Sequence, residues 1–292
     1  MDTPLRLLVA ESETVEARAA RRATVGRSSG ESYVATLQDI APRAVCDIIR
    51  PHEVGPDVGP PHALGDYDAV FLSGSPMHVY DDTVETRRQL AFMRAVFASG
   101  TPSFGSCAGL QVAVAAAGGT VVKADQHEIA FARRITATAA GREHPLLQGR
   151  PASWDALAIH SDVVESLPSG ATLLAGNAIC PVQAVEIRVD GGTFWGVQYH
   201  PELTLAEIAG ALRRQSKDLL QQGVARDEDE VEHQAALLDA LDGAPGRRDL
   251  KWRLGVNEEV TEPARRQREL RNFLKRLVLP VRAFRGREPG TG

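Results

Sequence analysis

The chain has 292 residues, 43% of them hydrophobic and 24% charged, so it can bury one large core or two modest ones. No stretch approaches the roughly 18 to 20 apolar residues of a membrane-spanning helix, and the acidic second residue is unlike the basic start of a secretory signal. The net charge of −5 is mild. Three scattered cysteines do not suit a disulfide framework and lack metal-ligand spacing, so we expect a cytoplasmic protein with no metal and no membrane partner.

Short apolar runs alternate with helix-like stretches over the first 210 residues. This alternation is typical of an α/β fold, in which helices cover both faces of a parallel sheet. Two later runs of β-branched residues predict antiparallel strands, so the sheet should be mixed. The predicted strands cover residues 5–10, 45–49, 69–72 and 102–104, the predicted helices residues 33–40, 85–97 and 110–117, and the antiparallel strands residues 121–138 and 182–197.

A long polar excursion, residues 11–30, follows the first strand and is rich in arginine. We expect it to be partly helical and to lie at the carboxyl edge of the sheet, where open α/β sheets bind their ligands. From residue 206 the pattern becomes helical, with predicted helices at 206–222, 227–241 and 262–277. We therefore divide the chain into an α/β domain, residues 1–210, and a helical C-terminal extension, residues 211–292.

The last 32 residues are basic, with nine Lys or Arg against three Glu. Their apolar residues recur at helical spacing, so we expect them to pack on the chain's own core or on a second copy of the chain. A docking arm for an acidic partner is the alternative. Nucleic acid is not expected, because the tail lacks interleaved aromatic residues and any known binding motif.

Residues 102–111, with the sequence PSFGSCAGLQ, place Cys107 between Gly105 and Gly109 at the junction of a predicted strand and helix. Glycines on both sides permit the sharp turn of a nucleophile elbow, which exposes the central side chain. The helix N-terminus would stabilise a thiolate and offer N–H groups to an oxyanion. A buried, unreactive cysteine in a turn of small residues is the alternative.

A possible partner for the thiol is the pair His200 and Glu202, which flank Pro201. Residues two apart in an extended segment point to the same side, so the carboxylate can orient the imidazole. The imidazole can then take the thiol proton, as in nucleophile–base–orienter catalysis. The alternative is that this triplet only begins the following helix.

These segments together resemble the class I (triad) glutamine amidotransferase family, in particular standalone proteins similar to the glutaminase domain of GMP synthetase. The resemblance covers about residues 5 to 210 and implies a flavodoxin-like open mixed sheet. It rests on four blocks in the family's order: residues 72–76 (LSGSP), the Cys107 elbow with Gln111, residues 159–162 (IHSD) followed by 167–171, and residues 181–184 (PVQA) leading to 196–202.

The resemblance implies a role for each matching residue. Cys107 would attack the amide carbon of glutamine, with His200 as general base and then acid and Glu202 as its orienter. Glutamate and ammonia would be released. Further implied residues are the oxyanion N–H groups of Ser75 and Ala108, the substrate-binding residues Gly74, Gln111, His160, Ser161 and Asp162, and a glutamate near the site, Glu128.

The sequence leaves the substrate open. Ser75, Ser106 and Ala108 depart from the family's usual residues and change the shape of the pocket, so glutamine or a larger γ-glutamyl compound is expected. No phosphate-binding loop is present, so we expect no ATP and no other cofactor. Ammonia transfer would therefore require a separate synthetase subunit. A regulatory subunit without catalysis is a third interpretation.

Several other polar residues need an interpretation. His78 and Tyr80, in the loop after the third predicted strand, either line the pocket or belong to a solvated loop. We expect His52, His62 and His233 at the surface.

Overall fold

The computed structural model describes residues 3–53 and 62–286. Arg287 and Glu288 of the basic tail lie outside these residues. The strands are β1 (Arg6–Ala10), β2 (Val45–Ile49), β3 (Ala69–Leu72), β4 (Ser103–Ser106), β5 (Thr120–Ala137), β6 (Ser153–Ser166), β7 (Ala171–Gly176), β8 (Ala184–Val189) and β9 (Gly192–Val197).

Thirteen α-helices occur in the described ranges, together with a π-helical turn at Leu274–Val278. They are α1 (Val15–Val25), α2 (Ser29–Ile40), α3 (Val84–Ser99), α4 (Ala108–Ala116), α5 (Ala139–Glu143), α6 (Leu205–Arg214), α7 (Ser216–Gln221), α8 (Glu228–Gly243), α9 (Arg248–Leu254), α10 (Glu258–Thr261), α11 (Pro263–Arg266), α12 (Arg268–Phe273) and α13 (Leu279–Phe284).

Within the described part of the chain, one mixed sheet contains nine strands in the order β2-β1-β3-β4-β9-β8-β7-β5-β6. The five strands from β2 to β9 run parallel, and the rest pair antiparallel. The predicted mixed sheet is therefore confirmed. Because β4 and β9 are parallel neighbours, the residues after their carboxyl ends, Cys107 and His200, emerge at the same edge of the sheet.

Alternate residues of the central strands enter different cores, because side chains along a strand point to opposite faces. Leu7 and Val9 pack in one cluster, whereas Leu8 and Ala10 pack in the other. Helices α2 and α12 supply residues to the first cluster, and α3 and α4 to the second. Helices thus cover both faces, as the sequence predicts.

The C-terminal helices complete the first core. Phe273 of α12 packs its ring 5.4 Å from the rings of both Phe71 and Phe104. Arg150 anchors the same segment through ion pairs with Glu259 at 2.7 Å and Glu269 at 2.6 Å. The tail therefore packs on the chain's own sheet, the first of the two arrangements we expected. Residue 210 lies within α6, and the division into two domains stays a prediction.

Some elements differ from their prediction. The excursion after β1 contains the full helix α1, whose N-cap is Thr14. The predicted helix 206–222 is two helices that meet at Gln215. The strands β6 and β7 and the helix α9 were not predicted from the sequence. The prediction that His52 lies at the surface was wrong, because its side chain is buried. No helix in the described ranges has the length and hydrophobicity required to cross a bilayer.

Candidate active site

Cys107 occupies a strained turn between β4 and α4. Its φ of 54° and ψ of −113° place a non-glycine residue in a region that L-amino acids rarely adopt. The two neighbouring glycines make the turn possible, since a Cβ on Gly105 would lie 2.6 Å from the carbonyl carbon of Gly109, and one on Gly109 would clash with the Leu72 carbonyl. This is the geometry of a nucleophile elbow, as predicted.

His200 and Glu202 form a buried pair beyond the end of β9. The Nδ1 of His200 lies 2.8 Å from Oε1 of Glu202, and Thr36 of α2 donates a hydrogen bond to the Glu202 backbone carbonyl at 2.9 Å. Burial lowers the pKa of His200, but the Glu202 carboxylate and the Cys107 side chain raise it more, to about 10. The imidazole is therefore protonated at neutral pH, which places a cation beside Cys107.

Gly74 brings the thiol and the imidazole together. A Cβ on Gly74 would lie 2.7 Å from Cε1 of His200 and 3.6 Å from Cβ of Cys107. Only a glycine leaves the imidazole this space. The structure thus assembles the predicted cysteine, histidine and carboxylate around one backbone position.

A cavity of about 600 Å³ opens onto this group. Gln111 lies on its wall, and its Nε2 donates to the backbone carbonyl of Asp162 at 3.1 Å and to Oε1 of Gln198 at 3.2 Å. The cavity also contains the other predicted site residues Gly74, Ser75, His160, Ser161 and Asp162.

His78 and Tyr80 line the cavity, which is the first of the two interpretations of their loop, and both side chains also remain partly exposed to solvent. Nδ1 of His78 lies 2.7 Å from a carboxylate oxygen of Asp162, and the Tyr80 hydroxyl donates to the other oxygen at 3.2 Å. Burial, and then the Asp162 carboxylate, raise the pKa of Tyr80 to about 12. These contacts fix the direction of a carboxylate on the cavity wall.

A buried polar network supports His160 from behind. Its Nε2 lies 2.8 Å from Glu128, whose carboxylate also accepts hydrogen bonds from Asn177 at 2.6 Å and Gln183 at 2.5 Å. Glu128, His160 and Cys180 each offer a possible metal-ligand atom, and these atoms lie within 4.8 Å of one another. The carboxylate is already saturated by amide donors, so the contacts fit a hydrogen-bond network, and the expected absence of a metal stays a prediction.

The backbone donors proposed for an oxyanion are Ser75 and Ala108. Ala108 is the first residue of α4, where N–H groups have no acceptor within the helix. The Ser75 side chain accepts a hydrogen bond from the N–H of Met77 at 3.1 Å, which shapes the loop after β3. Their role as donors to a substrate stays a prediction.

The second wall of the cavity, formed by α1, α6 and α7, was not predicted from the sequence. This wall includes Ala17, Arg21, Arg214 and Gln222. The position of the excursion after β1 was a usable signal, because it placed residues 11–30 at the ligand-binding edge. The residues of α6 and α7 carried no such signal, since their sequence is that of an ordinary amphipathic helix.

An α/β fold with a cysteine elbow, a histidine and a carboxylate is an arrangement suited to nucleophilic catalysis by a thiol. Residues 47–216 match the family described as glutamine amidotransferase class-I, and the chain belongs to that family.

Relatives agree with this assignment. A γ-glutamyl-L-1-hydroxyisopropylamide hydrolase from a Pseudomonas species is 36% identical over 283 residues, which are 95% of this chain and 94% of that protein. The glutamine-hydrolysing GMP synthase of Wolinella succinogenes is 33% identical over 57% of this chain, and the match spans only 30% of the synthase. The protein is therefore an amide hydrolase.

The fold agrees as well. The crystal structure of a glutamine amidotransferase from Thermotoga maritima superposes with a TM-score of 0.66 at 14% identity. The superposition covers 94% of this chain and 99% of the other. At this identity the likeness establishes the flavodoxin-like fold alone.

Proposed function

We propose that the protein hydrolyses the side-chain amide of γ-glutamyl compounds, with Cys107 as nucleophile, His200 as base and acid, and Glu202 as orienter. The observation that carries this proposal is the Pseudomonas γ-glutamyl amide hydrolase, whose similarity extends over 95% of this chain. That extent includes the excursion after β1 and the C-terminal helices, which the shorter match to GMP synthase does not span as a whole.

The geometry supports a two-step reaction. The Cys107 thiolate attacks the amide carbon, while the N–H groups of Ser75 and Ala108 donate hydrogen bonds to the oxygen on which negative charge develops. The His200 imidazolium donates its proton to the departing nitrogen, so an amine leaves and a γ-glutamyl thioester remains. His200 then takes a proton from water, which attacks the thioester and releases glutamate and the thiol.

The cavity residues around Asp162, outside the wall of α1, α6 and α7, would hold the glutamyl part of the substrate. Asp162, oriented by His78 and Tyr80, can pair with the substrate's α-ammonium group. Gln111, His160 and Ser161 line the same region and complete the proposed site for the α-carboxylate. Of these residues, His160 is held in place by Glu128, whose carboxylate lies 2.8 Å from its Nε2.

Transfer of ammonia from glutamine to a separate synthetase subunit is the second candidate function, favoured by the similarity to the glutaminase region of GMP synthase. It requires a partner, whereas the hydrolase requires only water. A cytoplasmic location and self-association through the C-terminal helices remain predictions of the sequence.

The experiment is a comparison of kcat/KM for glutamine and for a set of γ-glutamyl alkylamides, with glutamate release as the readout. We expect Cys107→Ser to abolish release, and Cys46→Ser, a matched change on β2, to retain it. Higher kcat/KM for a γ-glutamyl alkylamide than for glutamine supports the hydrolase. A preference for glutamine supports the amidotransferase, and no release from any substrate contradicts both.

A further inference from the structure

The cavity extends well past the proposed glutamyl site. Its volume of about 600 Å³ lies within the range of roughly 300 to 1,000 Å³ of pockets that hold drug-sized ligands. Glutamine, whose leaving group is a single ammonia molecule, does not need a second wall. The wall formed by α1, α6 and α7 therefore has space for a larger group attached to the amide nitrogen.

This wall is firmly built. Arg21 of α1 pairs with Glu207 of α6 at 3.2 Å, and Ser32 of α2 also donates to Glu207. Glu207 closes the capping box of α6 with Thr204. These contacts join α1, α2 and α6, so the part of the wall formed by α1 and α6 is in place before a ligand binds, which lowers the entropic cost of recognition.

Arg214 is a cation on this wall that has no ion-pair partner among the described residues. One of its nitrogens donates to the Thr24 hydroxyl of α1 at 2.5 Å, and no carboxylate of the described residues forms an ion pair with it. Asp218 lines the same wall but is exposed. The remaining guanidinium N–H groups are therefore available to an acceptor in the cavity.

The surroundings of Arg214 leave its charge incompletely compensated. Burial and the neighbouring Arg21 lower the pKa of Arg214, and Glu13 and Glu207 only partly oppose them. The group stays protonated at neutral pH, because a guanidinium is not deprotonated in proteins. Since a half-buried cation gains more from an acceptor than a solvated one, this site favours a ligand that carries oxygen.

We propose that the wall of α1, α6 and α7 is a subsite for the amine portion of the substrate, and that Arg214 selects amines with an oxygen acceptor near the amide nitrogen. The inference rests on the proposed function and adds the substrate class to it. The acceptor is a hydroxyl, as in an amino alcohol, or a carboxylate, as in an amino acid. Both present oxygen lone pairs to the guanidinium.

The test uses three γ-glutamyl amides of nearly equal size, which differ in one group on the carbon bonded to the amide nitrogen. That group is a methyl in the isopropylamide, a hydroxymethyl in the 2-amino-1-propanol amide and a carboxylate in γ-glutamylalanine. We expect kcat/KM of the wild-type protein for at least one oxygen-bearing amide to exceed that for the isopropylamide by roughly tenfold or more, the effect of one charge-assisted hydrogen bond. Which of the two is preferred identifies the acceptor.

Arg214→Gln should reduce this preference by about tenfold. Arg213→Gln is the matched control, because Arg213 lies next on the same helix but pairs with Glu232 and Asp239 on the outer surface. It should retain the preference. Equal kcat/KM for the three amides, or an unchanged preference in Arg214→Gln, would overturn the subsite. If the wild-type protein hydrolyses none of the three amides, that result would instead contradict the proposed function itself.

Discussion

Substitution of Gly74 by alanine tests how tightly the site is built. The added Cβ would lie 2.7 Å from Cε1 of His200, whereas ordinary contact begins at 3.4 Å, so the imidazole must move by about 0.7 Å. Gly74 does not have a positive φ, so the backbone tolerates alanine and the effect is confined to the contact. Since a displacement of about 1 Å can cost roughly 100-fold in rate, we expect kcat to fall about 10- to 100-fold.

The assay is steady-state hydrolysis of the best γ-glutamyl amide, with circular dichroism and thermal unfolding to confirm that the variant is folded. Gly243→Ala is the matched control, because a Cβ on Gly243, at the end of α8, would meet nothing within 4 Å. Its kcat should equal that of the wild-type protein. A Gly74→Ala variant with unchanged kcat would refute the argument that His200 must occupy this space.

Three further predictions concern charge. Glu202→Gln removes the carboxylate that raises the pKa of His200 in the free protein, so the alkaline limb of kcat/KM should move from near pH 10 to lower pH; an unmoved limb in the kcat/KM profile would contradict this cause. Arg150→Met leaves the buried Glu269 unpaired and should lower the free energy of unfolding in urea by about 3–5 kcal/mol, whereas a loss below about 1 kcal/mol would show that the pair is dispensable. Burial and Asp47 raise the pKa of Cys46 to about 11, so its iodoacetamide labelling rate should climb through pH 9 to 10; a plateau at pH 8 would disprove the shift.

The sequence was sufficient to predict β1 to β4 and the elbow, because these features depend on local patterns. Strand β9 lies in the run predicted as antiparallel, and the structure pairs it antiparallel with β8 but parallel with β4. Short apolar runs bounded by turns mark β1, β3 and β4, and Gly105 and Gly109 mark the sharp turn at Cys107. The spacing of His200 and Glu202 likewise predicted a pair that the structure holds at 2.8 Å. In each case the determining residues are neighbours in sequence.

Features that depend on distant residues were not predictable in the same way. The bond between His78 and Asp162 joins residues 84 positions apart, and the burial of His52 depends on the packing of other segments around it. The wall that contains Arg214 forms only when α6 packs against α1. No local sequence pattern predicts these contacts, so the second wall of the cavity could be identified only from the structure.

The central claim is that Cys107 forms a γ-glutamyl thioester. The most direct measurement is intact-protein mass spectrometry after rapid acid quenching of the protein mixed with a γ-glutamyl amide. We predict an added mass equal to one γ-glutamyl group, mapped to the peptide that contains Cys107 and absent from Cys107→Ser. Hydrolysis of the amide by Cys107→Ser at the wild-type rate, or an adduct on Cys46 or Cys180 in its place, would contradict the account.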